Sequence, residues 1–124
     1  MPIQKPASPG NGLYATAVGQ QSSTRLADGS EIVLNTNSQI RIEYSDEYRR
    51  IYLLQGEALF TVAKDTHRPF RVYAGTGIIQ ALGTAFSVYL DEGNVNVTVA
   101  EGRVSLASIR RTPAAQPEHS DVRD

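Results

Sequence analysis

A short apolar strand, a glycine and a second apolar strand recur four times along this 124-residue chain. They surround Gly29 in LADGSEIVL, Gly56 in LLQGEALFTV, Gly83 in IQALGTAFSV and Gly102 in VTVAEGRVSL, at spacings of 27, 27 and 19 residues. Glycine visits positive φ without the Cβ penalty that other residues meet, so a recurrent glycine between strands is the expected device for a sharp bend. Similar units at such intervals predict an all-β fold, a short β-solenoid or β-helix-like stack in which each layer buries its neighbours' apolar faces. A two-layer β-sandwich with regular turns would produce much the same pattern.

The apolar signal between the glycines has period two. Ile40, Ile42 and Tyr44 alternate with Arg41 and Glu43, and Val95, Val97 and Val99 alternate with Asn96 and Thr98, as a strand with one buried face requires. Helical spacing is hard to find. SDEYRR at 45–50 starts with a Ser cap but is only one turn long, so it reads as a turn or a frayed helical turn. KDTHRPFRVYA at 64–74 reads as a connection feeding a strand, because Pro69 fixes its own φ and biases Arg68 towards extended geometry. Phe70 is placed to anchor that strand in the core. Residues 1–12 hold three prolines and two glycines with little apolar content and read as a flexible linker. The segment 110–124, RRTPAAQPEHSDVRD, has the same character and reads as a disordered tail, which leaves one β domain over 13–109.

Charge and composition remove whole classes of function. Twelve basic residues against thirteen acidic ones give a net charge of −1, with no tryptophan and no basic run, so nothing favours a nucleic acid or an anionic lipid surface. With no cysteine there is no disulfide framework, zinc knuckle or thiol nucleophile, and the redox compartment stays open. No stretch approaches the roughly 20 apolar residues of a membrane span, and MPIQKPASPGNG lacks the apolar run of a signal peptide.

Candidate reactive groups are few. A catalytic Ser30 needs a base, and the chain has only two histidines; His119 falls in the expected tail, leaving His67. The alternative is that Asp28 and Ser30 hydrogen-bond the backbone of a turn made at Gly29, and the sequence favours it. GTG at 75–77 lacks the third glycine and following helix of a dinucleotide-binding turn and reads as a loop glycine pair. Asp91 and Glu92 read as a solvated hairpin tip in preference to a calcium site, which takes about six or more oxygens. Asn96-Val97-Thr98 matches a glycosylation sequon but lies within a strand pattern. Glu57 and Glu101 flank two of the repeated glycines, and their equivalent placement argues for a turn or strand-edge role over acid–base work.

The ordered series LADGSEIVLNTNSQIRI, RRIYLLQGEALFTVAKDTHRPFRVYA, IIQALGTAFSVY and VNVTVAEGRVSL resembles the FecR family, the periplasmic part of inner-membrane regulators of iron-uptake sigma factors. The resemblance runs from about Tyr14 to Leu106. It implies an all-β stack of strands and a signal-relay function without an enzyme activity, cofactor or metal. It also implies a single-pass parent whose cytoplasmic segment binds an extracytoplasmic-function sigma factor. The periplasmic region of that parent would receive a signal from the signalling domain of a TonB-dependent outer-membrane transducer loaded with ferric siderophore. Asp28, Gly29, Ser30, Gly56, Phe60, Pro69, Phe70, Gly83, Phe86 and Gly102 match motif positions implied to define the fold. No sigma-binding segment, membrane helix or further domain after Leu106 accompanies them, so the resemblance implies a soluble middle piece of an anchored protein. A glycan or small-ligand binding module is the alternative, although six scattered tyrosines offer no evident stacking floor.

Overall fold

The computed structural model describes residues 10–108. The tail expected over 110–124 lies outside the described residues, as does all but the end of the linker expected over 1–12. Asn11, at that end, brackets the backbone of Tyr44: its Nδ2 donates to the Tyr44 carbonyl at 3.1 Å and its Oδ1 accepts from the Tyr44 amide at 2.8 Å.

Ten strands and no helix make up the described chain, which is all-β. They are β1 (Gly12–Ala15), β2 (Ser22–Arg25), β3 (Glu31–Leu34), β4 (Gln39–Tyr44), β5 (Arg49–Thr61), β6 (Phe70–Ala74), β7 (Gly77–Ala81), β8 (Ala85–Asp91), β9 (Asn94–Glu101) and β10 (Val104–Ser108). One run of pairings has the order β1-β4-β5-β6-β7-β10, and the other has the order β2-β3-β5-β8-β9. The two share β5. Its first half pairs with β4 and β6, and its second half pairs with β3 and β8.

The change of partner falls at Gly56, and here the structure corrects the expectation that every repeated glycine lies between two strands. Gly56 is inside β5, at φ +83°, and turns one long strand from the first sheet into the second. Gly29, Gly83 and Gly102 do lie in connections, β2–β3, β7–β8 and β9–β10 respectively. At Gly56 glycine is required twice over: the φ disfavours any Cβ, and a Cβ there would overlap Ser38 Oγ and stand 2.7 Å from Ser38 Cα. Ser38 is close because it mends the corner. Its buried hydroxyl accepts the Glu57 amide at 2.9 Å and donates to the Thr36 carbonyl at 2.9 Å, while the β4–β5 register shifts beside it at Gln39/Ile40. Glu57 is thus in the middle of a central strand and not at a turn or strand edge. Glu101 ends β9, which pairs only with β8 among the described strands.

Because β5 leaves the first sheet, the 62–69 connection must bring the chain back to lay β6 beside the first half of β5. Parallel pairing requires such a crossover, and β5–β6 is the one parallel pair among the described strands. The short connections behave as their sequences dictate. In 45–48, the Ser45 amide donates to the Tyr48 carbonyl at 2.8 Å and Ser45 Oγ accepts from Glu47 and Tyr48, a tight turn that hands over to β5 at Arg49. Glu92 (φ 51°) and Gly93 (φ 89°) close the β8–β9 hairpin with the two left-handed residues of a type I′ turn. Gly75 and Thr76 close β6–β7, and Asn96 to Thr98 lie within β9.

Alternation then places one face of each sheet in a common core. Ile40, Ile42, Ile51, Leu53, Val72 and Ile79 come from the first sheet, and Ile32, Leu34, Ala58, Phe60, Phe86 and Val88 from the second, all nearly inaccessible. Each large aliphatic or aromatic side chain among them contributes about 1.5–3 kcal/mol of burial. The three phenylalanines of the chain join the sheets: Phe60 meets Phe70 edge-on at 5.7 Å and stacks on Phe86 at 5.2 Å.

Candidate functional site

The Asp-Gly-Ser stretch forms the β2–β3 turn, and its polar atoms are directed inward. Asp28 Oδ1 accepts the Ser30 amide at 3.0 Å, which closes the turn, and Asp28 Oδ2 accepts the Ser30 hydroxyl at 2.9 Å. Ser30 is wholly buried, and its Oγ also accepts the Ala63 amide at 2.9 Å. His67 does not approach it: the His67 side chain is 94% exposed on the 62–69 connection. Ser30 is therefore out of reach of His67, and its hydroxyl is closed to solvent.

The partner of this turn is Arg49, which sequence reasoning missed. Its guanidinium has no exposed surface, and Nη1 donates to Asp28 Oδ2 at 2.7 Å. Nη1 also donates to the Ala63 carbonyl at 2.8 Å, Nε donates to the Arg68 carbonyl at 2.9 Å, and the Arg49 amide donates to the Pro69 carbonyl at 3.2 Å. Both ends of the crossover are thereby fastened to the first residue of β5, and Asp28 neutralises the charge that does the fastening. The Tyr44 hydroxyl lies 3.3 Å from both Asp28 oxygens, and the Phe70 ring stands 5.4 Å from the guanidinium. Burial by itself raises the Asp28 pKa, but the Ser30 amide, Arg49 and the Ser30 hydroxyl together outweigh it and hold the carboxyl below its usual value. Burial, first of all, pushes the Tyr44 phenol well above its ordinary value, so it stays protonated and donates. The ensemble is a structural clamp: the Asp28 carboxylate, the Ser30 hydroxyl and Arg49 Nε and Nη1 are all engaged, and Arg49 Nη2 is buried without a hydrogen-bond partner.

The remaining motif positions serve packing. Phe60, Phe70 and Phe86 form the stack described above; Pro69 ends the crossover; Gly83 faces Lys64, with a Cβ there 3.3 Å from Lys64 Cβ. At Gly102, φ is +87° and a Cβ would come within 2.6 Å of Thr84 Cγ2, so only glycine allows β10 to leave β9 at that point. Asp91 and Glu92 sit at an exposed hairpin tip, and no group of metal-ligating side chains occurs among the described residues.

Two surface features emerge that the sequence did not announce. The first is a cleft of about 630 Å³ beside the corner in β5. The carboxamides of Gln21, Asn35, Asn37 and Gln55, the Glu57 carboxylate and Tyr89 line it, and no basic side chain does. Gln21 Nε2 donates to Asn35 Oδ1 at 2.8 Å, and Asn35 Nδ2 donates to Glu57 Oε1 at 2.7 Å, so the polar wall is tied together. Tyr89, 42% exposed, is directly across the strands from Glu57. The second is the edge of β9 that no other described strand pairs with. From Asn94 to Ala100 it carries no charge and no proline, the features that usually blunt an edge. Among the described strands it is also the longest with a single partner; β1, β2 and β10 have four, four and five residues.

Among solved structures, two crystal structures of a candidate anti-sigma factor from Parabacteroides distasonis ATCC 8503 are similar to this chain. Each shares 25% identity at a TM-score of 0.72, over 83% of this chain and 48% of theirs. The chain thus spans about half the length of those proteins. No curated protein sequence matches it. The sequence pattern of the family described as FecR protein matches residues 12–105, most of the chain and every strand but the end of β10, and the chain belongs to the FecR family.

Proposed function

We propose that this domain is the signal relay in the periplasmic part of a FecR-type transmembrane regulator of an extracytoplasmic-function sigma factor. In this reading the parent couples a TonB-dependent ferric-siderophore transducer to the sigma factor, and this domain works by recognising protein. The observation that carries the reading is the family match over residues 12–105, supported by the likeness to a candidate anti-sigma factor. The geometry agrees in kind: the motif residues are occupied in holding the fold, so function falls to the surface. Along Asn94 to Ala100, a stretch without charge, β9 has an edge that no other described strand pairs with, which suits strand addition by a partner segment. The sigma factor would bind a cytoplasmic segment of the longer parent.

Titrating the signalling domain of a transducer into isotopically labelled protein tests this reading. Amide shifts concentrated at 94–101, weakened by Thr98→Lys, are expected; the absence of shifts with both this chain and its longer parent ends the proposal. The carboxamide-lined cleft favours a second reading, a site for a neutral hydroxyl-rich ligand such as a glycan, with Tyr89 as its one aromatic surface. A glycan array without hits, or hits unaffected by Tyr89→Ala and Glu57→Gln, removes that reading.

A further inference from the structure

The outer face of the first sheet presents an ordered set of charges and rings. Because Ile42, Ile51, Val72 and Ile79 point into the core, their strand neighbours point out. The pairing registers align them in two rows across the sheet. In one row Arg41 is opposite Tyr52, Tyr52 opposite Tyr73, and Tyr73 opposite Ile78. In the other Glu43 is opposite Arg50, Arg50 opposite Arg71, and Arg71 opposite Gln80. The face therefore holds three arginines against one carboxylate on a chain whose net charge is −1. Tyr52 and Tyr73 stack at 5.0 Å with 19° between their planes. Arg50 lies 3.9 Å over the Tyr48 ring, and its Nε, although shielded, has no hydrogen-bond partner. Arg41 is exposed and has no side-chain partner among the described residues. Arg71, held by Gln80 Oε1 at 2.8 Å, borders a depression of about 230 Å³ whose apolar lining includes Ile78, Leu106 and Ala107.

We propose that this face docks an acidic polypeptide segment of a partner protein. Arg41, Arg50 and Arg71 take its carboxylates, the paired tyrosines support its backbone, and an aliphatic side chain enters the depression beside Arg71. Arginine's planar fork suits carboxylates, and arginine and tyrosine are the residues that interfaces favour. Three guanidinium groups with a carboxylate among them are too few for a nucleic-acid track, and one face of each stacked ring is covered by the other. Anionic membranes are held by basic clusters larger than these three arginines. This surface is separate from the β9 edge, which belongs to the second sheet, so the two proposals stand or fall independently.

The test uses the labelled protein and the peptide acetyl-(Glu-Leu-Glu-Gly)3-amide, with its glutamine-for-glutamate counterpart as control. Amide shifts should map to β4, β5, β6 and β7, be absent with the glutamine peptide, and weaken as salt rises from about 50 to about 300 mM. An exposed arginine–carboxylate pair supplies a factor of roughly two to five in affinity, so Arg50→Gln/Arg71→Gln should weaken binding about 4- to 25-fold. Arg41→Gln alone, at a position that supports nothing else, should weaken it roughly two- to fivefold. An unaltered thermal melt confirms that each variant is folded. The proposal is overturned if no shifts occur, if they lie on the second sheet, if the glutamine peptide binds as well, or if folded Arg41→Gln binds unchanged. It is equally overturned if an oligonucleotide or phosphatidylglycerol vesicles engage the same face more tightly than the acidic peptide.

Discussion

Replacing Asp28 with asparagine removes one charge from the clamp while keeping its shape. The new carboxamide can still accept the Ser30 amide, but the Arg49 guanidinium, without any exposed surface, loses its counter-charge. Breaking a buried pair from one side costs about 3–5 kcal/mol, because the remaining charge is stranded in the interior. The lower end applies here, since the Ala63 and Arg68 carbonyls continue to accept from Arg49 and soften the loss. Urea unfolding at pH 7, followed by circular dichroism, should therefore show a midpoint lower by about 1–3 M for a slope of roughly 1–3 kcal/mol/M. Arg49→Met on the Asp28→Asn background should recover a good part of the loss, because the stranded charge is then gone. The pH dependence carries the same signature. The folded pKa of Asp28 is depressed, so its contribution is complete above the unfolded value near 3.8 and fades as pH falls through the lower folded value. The wild type should lose stability through that acid window more steeply than Asp28→Asn does. A loss below about 1 kcal/mol at pH 7, or an additive double mutant, would refute the clamp.

Further expectations come from the same geometry. Gly56→Ala meets an unfavourable φ, about 1–2 kcal/mol, and an overlap with Ser38, about 1–3 kcal/mol more, so a chemical melt should register a loss of about 2–5 kcal/mol. Ser38→Ala strands the Glu57 amide and should cost about 1–3 kcal/mol in the same assay. Ser30→Ala strands the Ala63 amide at a similar cost of about 1–3 kcal/mol, and no ester or glycoside turnover should exist for it to abolish. Phe70→Ala opens the contact between the sheets and should cost about 3–5 kcal/mol by urea titration.

How much of this could be read from the chain differs from place to place. The alternation of Ile40, Ile42 and Tyr44, and of Val95, Val97 and Val99, was open to inspection because a strand with one buried face writes its period directly into the sequence. The Asp-Gly-Ser turn was legible for the same local reason. Arg49 was not: in SDEYRR it looks like one more surface charge, and its burial follows only from the crossover that returns β6 to the first half of β5. Gly56 shows a related limit. Its spacing marks a bend, yet whether the chain turns back or passes into a second sheet depends on the partners of β5, which lie far away in sequence. The cleft and the arginine–tyrosine face were illegible for the same reason, since both are assembled by register between strands. A glycine repeat was a sound guide to where the backbone bends and a poor guide to what each bend connects.

Amide hydrogen exchange with and without a transducer signalling domain tests most directly whether this domain acts through its surface. The account predicts slowed exchange along β9, at 94–101, with the Asp28–Arg49 clamp equally protected in both states. Protection gained at the clamp, around Ser30 and Ala63, with β9 unchanged, would contradict it.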